Sequence, residues 1–145
     1  MTSEIQIRVF SLSSADIFEE NRLDYAIYWL MKKGNNRYYF RKMKPRNLPV
    51  GSIVLFSFQG KIFGQAITNE EVRRISTEEQ SRKRRESGFV YKATVRFEPS
   101  SIDVFPKYPL KKDIEEKFGI RFSRLFTPLT WEQYQEVLRM AERRP

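Results

Sequence analysis

The chain has 145 residues, 40% of them apolar, which is enough for one ordinary domain with a single core. It contains neither cysteine nor histidine. That excludes disulfides, thiolate nucleophiles and zinc–thiolate sites, and it removes the commonest general base and metal ligand. The net charge is +9 and is unevenly placed. No acidic residue occurs from Tyr25 to Asn69, a window that holds Lys32, Lys33, Arg37, Arg41, Lys42, Lys44, Arg46 and Lys61. A second basic cluster runs from Arg82 to Arg85. Uneven positive charge interleaved with aromatics is the footprint expected for a phosphate backbone. No uninterrupted apolar run reaches about 18 residues, and MTSEIQIRVF lacks the basic-then-apolar layout of a signal peptide. The expectation is a cytoplasmic protein with no membrane partner.

In chain order, residues 1–24 read as a short strand or arm followed by a helical turn that Ser14 can cap. Tyr25 to Met31 is an aromatic and β-branched run, read as a buried strand containing Trp29. Gly34-Asn35-Asn36 breaks it. RYYFRKMK then reads as one or two helical turns stopped by Pro45. Tyr38 and Tyr39 are adjacent and cannot both face one core. SIVLFSF, a turn at Gln59-Gly60-Lys61 and KIFGQAIT form a β-hairpin, in which Gly64 marks a bulge or a close backbone approach.

Residues 70–87 are a charged connection, helical or mobile. GFVYKATVRFEP reads as a long strand with Phe89, Tyr91, Ala93, Val95 and Phe97 on one face. A short strand is expected over Ile102 to Phe105, and a short helix over Leu110 to Phe118, ended by Gly119. Extended chain follows from Ile120 to Phe126. Thr130 and Gln133 have the spacing of a capping box, and Trp131, Tyr134, Leu138 and Ala141 share the inward face of the helix that it opens. The terminal ERRP reads as a cut just after a helix, as in a domain taken from a longer chain. The fold class is α+β: one domain over 1–145, about five or six strands in a curved mixed sheet or small barrel, flanked by short helices.

Chemistry-bearing motifs are absent. There is no GxxxxGK[ST] and no GxGxxG. Asp113, Glu115 and Glu116 cluster on a charged helix and read as a solvated face. A binding domain is therefore expected, with no catalytic residue, no cofactor and no metal; any nucleotide hydrolysis or nuclease activity would lie in other domains or subunits.

Four stretches carry a resemblance. YWLMK (Tyr28 to Lys32) resembles the opening strand of EVE domains. PVGSIVLFSFQGKIFGQAIT (Pro49 to Thr68) resembles the central hairpin shared by EVE and YTH domains, and GFVYKATVRF (Gly88 to Phe97) the long strand after it. Ser123-Arg124-Leu125, Thr127-Pro128-Leu129-Thr130-Trp131 and the closing helix resemble the EVE C-terminus. The resemblance implies a PUA-like pseudo-barrel whose side pocket holds a modified or flipped-out base against aromatic side chains. It also implies DNA, methylated where the modification is methyladenine or methylcytosine, as the partner. Such a module targets modification-dependent restriction systems of the McrBC type, with a motor or nuclease domain downstream or on a partner. An RNA-binding PUA-like module is the alternative.

Carried over by residue, Lys32 falls at the end of the first strand beside the pocket. Asn35 or Asn36 falls where a polar group touches the base edge. Arg37-Tyr38-Tyr39 falls near the first cage aromatic, and Arg124 on an EVE arginine. Lys33, Arg41 and Lys42 belong to the same basic rim. The connection from Glu70 to Ser87 has no aromatic, so a second wall falls to another side chain, such as Phe58 or Trp29, or the pocket is more open.

Overall fold

The computed structural model describes residues 5–12, 36–40, 48–88, 90–122 and 128–143. Its strands are β1 (Ile7–Leu12), β2 (Arg37–Phe40), β3 (Ile53–Phe58), β4 (Lys61–Ile67), β5 (Arg73–Arg74), β6 (Ala93–Arg96) and β7 (Asp103–Val104). Its helices are α1 (Thr77–Ser87), α2 (Lys111–Phe118) and α3 (Trp131–Met140). The chain is α+β, as its sequence implies. No helix among the described residues is long and apolar enough to cross a membrane.

A four-stranded sheet has the order β1-β3-β4-β7, and a three-stranded sheet the order β2-β6-β5. The first is mixed, because β1 runs parallel to β3 while β4 and β7 run antiparallel. The second is antiparallel throughout. The two meet at one corner, where Thr68 bridges Phe97 and the Glu98 N–H donates to the Ile67 carbonyl at 2.8 Å. Among the described residues they do not close into a barrel.

Side-chain alternation along β1 and β3 feeds two cores. Phe10, Val54, Phe56 and Phe58 face the three-stranded sheet and pack on Phe40, Ala93, Val95 and Phe97. Ile7 and Leu55 face the other way, onto Ile114 of α2 and Tyr134, Val137 and Leu138 of α3. Since β3 is covered on both sides, Val54 to Phe58 are buried without a break, which explains an apolar run in place of an alternating one.

The hairpin turn places Gln59 at φ 49° and Gly60 at φ 80°, the left-handed pair of a type I′ turn. The β3–β4 register then slips: Ser57 pairs with Ile62 but Phe56 pairs with Gly64, leaving Phe63 as the extra residue of a bulge. Ile62 reaches the helix-side core and Phe63 the inter-sheet core, and the bulge then sets Gly64 opposite Phe56. At Gly64 the backbone of β7 comes close, and a Cβ there would lie 2.6 Å from the Asp103 carbonyl oxygen.

The helices end as the sequence indicates. Gly119 caps α2 at φ 66°, and Thr130 and Gln133 form both bonds of the capping box. The Tyr134 hydroxyl donates to Gln65 Oε1 at 2.6 Å, tying α3 to β4.

Three expectations change. RYYF is a strand, not a helical turn, because its aromatic side chains suit a pleated surface and its backbone pairs with β6. The strand expected over 88–97 is laddered only from Ala93 to Arg96, so Tyr91 precedes the ladder and is not bound by its alternation. Trp131 does not pack on the sheet. It sits at the first position of α3, 54% exposed, with its ring 5.4 Å from that of Tyr134, which makes the buried contact instead. The expected strand over Tyr25 to Met31, the Ser14 cap and the extended chain beyond Phe122 lie outside the described residues.

Gly64→Ala is expected to lower the free energy of unfolding by about 1–3 kcal/mol through overpacking. Thr130→Ala should lower it by about 1 kcal/mol through loss of the cap. Urea denaturation measures both. A Gly64→Ala chain as stable as its parent would contradict the close packing of β4 on β7.

Candidate nucleic-acid interface

Strand β2 divides the two candidate tyrosines between opposite faces of the three-stranded sheet. Tyr38 lies on the core side. Its ring centroid is 4.8 Å from that of Phe10 and 5.0 Å from that of Phe40, and its hydroxyl donates to the Ser11 carbonyl at 2.6 Å. Tyr39 lies on the outer side, half-buried. The Lys83 ammonium stands 4.1 Å above its ring, and the ring of Tyr91 is 5.6 Å away.

Register fixes what surrounds Tyr39. Arg37 pairs with Arg96, and Tyr39 with Thr94, which in turn pairs with Arg73 of β5. Directly opposed residues of antiparallel strands share a face, so Arg37, Tyr39, Thr94, Arg96 and Arg73 form one surface. Part of its charge is balanced internally. Arg37 pairs with Glu70, and Arg73 with Glu79 at 3.4 Å. Among the described residues Arg96 makes no ion pair.

Helix α1 lies over this face. Ser76 caps it by accepting from the Glu79 N–H, but none of residues 77–86 is buried. Its contacts with the sheet are polar: Glu79 to Arg73, and Lys83 to the Tyr39 ring. The connection that lacks an aromatic thus brings a cation to the tyrosine, while the second ring comes from Tyr91 just beyond it. Burial raises the Tyr39 hydroxyl above the ordinary tyrosine value, and the nearby Glu79 carboxylate adds to the rise, against Arg37, Arg82 and Arg73, which oppose it. Burial likewise lowers the Lys83 ammonium, the larger cause, with Glu86 acting against it.

Asn36 leads into β2 at φ 60°, a conformation that asparagine tolerates better than most residues. Its backbone carbonyl accepts from the Phe97 N–H at 2.8 Å. Its side-chain oxygen is buried and has no hydrogen-bond partner among the described residues.

Of the residues singled out by sequence, Arg37 and Tyr39 come together on one face, Tyr38 turns inward, and Asn36 precedes the strand with its side-chain oxygen buried. Phe58 is corrected: at 3% exposure it belongs to the inter-sheet core, on the same side of β3 as Val54 and Phe56, and cannot wall a pocket. Lys32, Lys33, Asn35, Arg41, Lys42 and Arg124, together with Trp29, lie outside the described residues. Sequence reasoning missed the parts of Lys83 and Tyr91. The i,i+4 spacing of Glu79 and Lys83, which puts both on one side of a helix, was the available signal for the first.

No family model matches the sequence, and no curated protein matches it. A solved structure, that of protein Atu2648 from Agrobacterium tumefaciens, is similar over 95% of this chain and 94% of that one, with a TM-score of 0.51 and 14% identity. At that identity the likeness concerns the fold alone.

The Tyr39 ring carbons, followed by NMR, are expected to titrate above the ordinary tyrosine value of about 10. Glu79→Gln should bring the midpoint only part of the way down, since burial is the larger cause. A full return to the ordinary value in that variant would contradict the packing of α1 and Tyr91 around the ring.

Proposed function

We propose that the chain is a nucleic-acid-binding domain that receives an unstacked base against Tyr39. One observation carries the reading: a half-exposed aromatic, flanked by the Tyr91 ring and the Lys83 ammonium, on a sheet face whose other members are Arg37, Arg73, Arg96 and Thr94. Aromatic rings on a sheet surface with cations beside them are the chemistry of base stacking next to phosphate. A base stacked on Tyr39 takes the position of the Lys83 ammonium, which then meets the neighbouring phosphate.

In this reading the finer fold is the PUA-like pseudo-barrel of EVE and YTH domains, with which two sheets joined at a corner are compatible. The ligand is DNA carrying a modified or flipped-out base. Removing a base from the stack costs a few kcal/mol, and stacking on protein returns about 1–3 kcal/mol. Lys32, Lys33, Asn35, Arg41, Lys42 and Arg124 complete the proposed rim, and a neighbouring motor or nuclease would act on the DNA so marked.

The test is a binding screen over single- and double-stranded DNA and RNA, with and without methylated bases. Tyr39→Ala is expected to cost about 1–3 kcal/mol of affinity for the preferred base with little loss of stability. Tyr38→Phe, which removes the bond to Ser11, should cost about 1 kcal/mol of stability and leave binding nearly intact. Raising salt from about 50 to 200 mM should weaken binding on the order of tenfold or more. Equal small effects of both substitutions, or binding indifferent to salt, would overturn the proposal; tightest binding to RNA would reassign its ligand.

A further inference from the structure

The helix-facing side of β1 and β3 changes character at one end. Register pairs Ile7 with Ile53, Val9 with Leu55 and Ser11 with Ser57. The first two pairs pack under the helices. Where the alternation would put a third apolar pair, two hydroxyls face each other at 3.1 Å. Over them reaches Lys111, from the first turn of α2, donating to Ser11 Oγ at 3.1 Å. The Lys111 backbone N–H is fixed to the Gly60 carbonyl at 2.8 Å, and its ammonium lies 5.8 Å from the centre of the Phe122 ring.

This ammonium is placed as if for an anion that the described residues do not supply. Among the described residues Lys111 makes no ion pair. Glu115, one helical turn on, turns its carboxylate to the Phe122 backbone N–H at 3.0 Å instead. Burial lowers the Lys111 ammonium from the ordinary lysine value, with Glu115 acting only partly against it. A partly desolvated cation whose partner is a neutral hydroxyl gains from a bound anion. The donor count fits as well. Lys111 has two N–H groups left after Ser11. Ser11 Oγ can accept from Lys111 and from Ser57 while keeping its own proton to give. Ser11 is exposed whereas Ser57 is buried, so Ser57 orients and Ser11 presents.

We propose that Lys111 and Ser11 form a phosphate-binding site. It rests on the preceding reading in one respect: the phosphate is a phosphodiester of the strand whose base meets Tyr39. The Tyr38 hydroxyl bonds the Ser11 carbonyl, so the edge strands β1 and β2 meet here; because Tyr39 faces away from Ser11, the bound strand passes around this edge from one site to the other.

The test follows the lysine ε resonances of the full chain during titration, first with inorganic phosphate and then with a single-stranded oligonucleotide. Phosphate should shift Lys111 saturably and leave the exposed Lys112 unmoved. Lys111→Met should abolish the phosphate response and reduce the salt slope of oligonucleotide binding by about 0.7, the value of one single-strand phosphate; Lys111→Arg should restore both, and Lys112→Met should change neither. Circular dichroism checks that Lys111→Met folds; if it does not, the response of the native chain decides. Equal shifts at Lys111 and Lys112, or a phosphate response that survives Lys111→Met, would overturn the site. The two readings separate cleanly. An oligonucleotide that binds with Lys111 indifferent sinks this site alone. Phosphate bound at Lys111 by a chain that binds no oligonucleotide keeps the site and sinks its link to a strand.

Discussion

Strand β3 has no face turned to solvent, and the rest of the architecture follows from covering it. Phe56, Leu55 and Val54 are each fully buried, and burying a side chain of that size contributes about 1.5–3 kcal/mol. One strand cannot collect that from both faces unless a layer packs on each. The three-stranded sheet covers one side, and α2 and α3 cover the other. The same demand falls on β4, whose sequence does not alternate in step with β3. The bulge at Phe63 resolves the conflict: alternation sends Ile62 and Phe63 to different cores, and the extra residue returns Gly64 to the position opposite Phe56 so that Gln65 and Ala66 stay in step with Leu55 and Val54.

A layered arrangement of this kind gives each outer layer one satisfied face and one to spare. For the three-stranded sheet the spare face is polar except at Tyr39, and what lies over it is a helix that buries nothing. Surface ion pairs such as Arg73 with Glu79 contribute up to about 1 kcal/mol each, so α1 is lightly held compared with α3, which buries Tyr134, Val137 and Leu138. A ligand can displace the Lys83 ammonium from the Tyr39 ring without disturbing either core. The other place where packing gives way to polarity is the far end of the helix-side layer, at the Ser11–Ser57 pair under Lys111.

Much of this was legible in the sequence, and the exceptions have physical causes. The hairpin, the Gly64 approach, the Gly119 stop and the capping box at Thr130 were readable because each rests on a local rule: a turn conformation, a missing Cβ, a side chain reaching a nearby backbone group. RYYF was misread because strand pairing is non-local. Nothing within four residues says that β6 will supply partners, while the basic residues after it suit a helix. Once β2 is a strand, the separation of Tyr38 from Tyr39 follows at once from alternation, and that separation is what the adjacent tyrosines demanded. Phe58 and Trp131 were misplaced for opposite reasons. A β3 flanked on both sides leaves no room for a pocket aromatic, and the first residue of a helix need not share the face of the turns that follow. Lys111 drew no notice because its partners, Ser11 and Ser57, are distant in sequence and chemically bland.

The central claim is that a base of a bound strand lies on Tyr39, on the outer face of the three-stranded sheet. Photo-crosslinking tests it most directly. A strand carrying a photoreactive base is irradiated in complex with the chain, and the attached residues are mapped by mass spectrometry. Crosslinks concentrated on Tyr39 and Tyr91 are the predicted result. Crosslinks confined to Trp131 and the α3 side, or spread over exposed residues without preference for the β2–β6 face, would contradict the account.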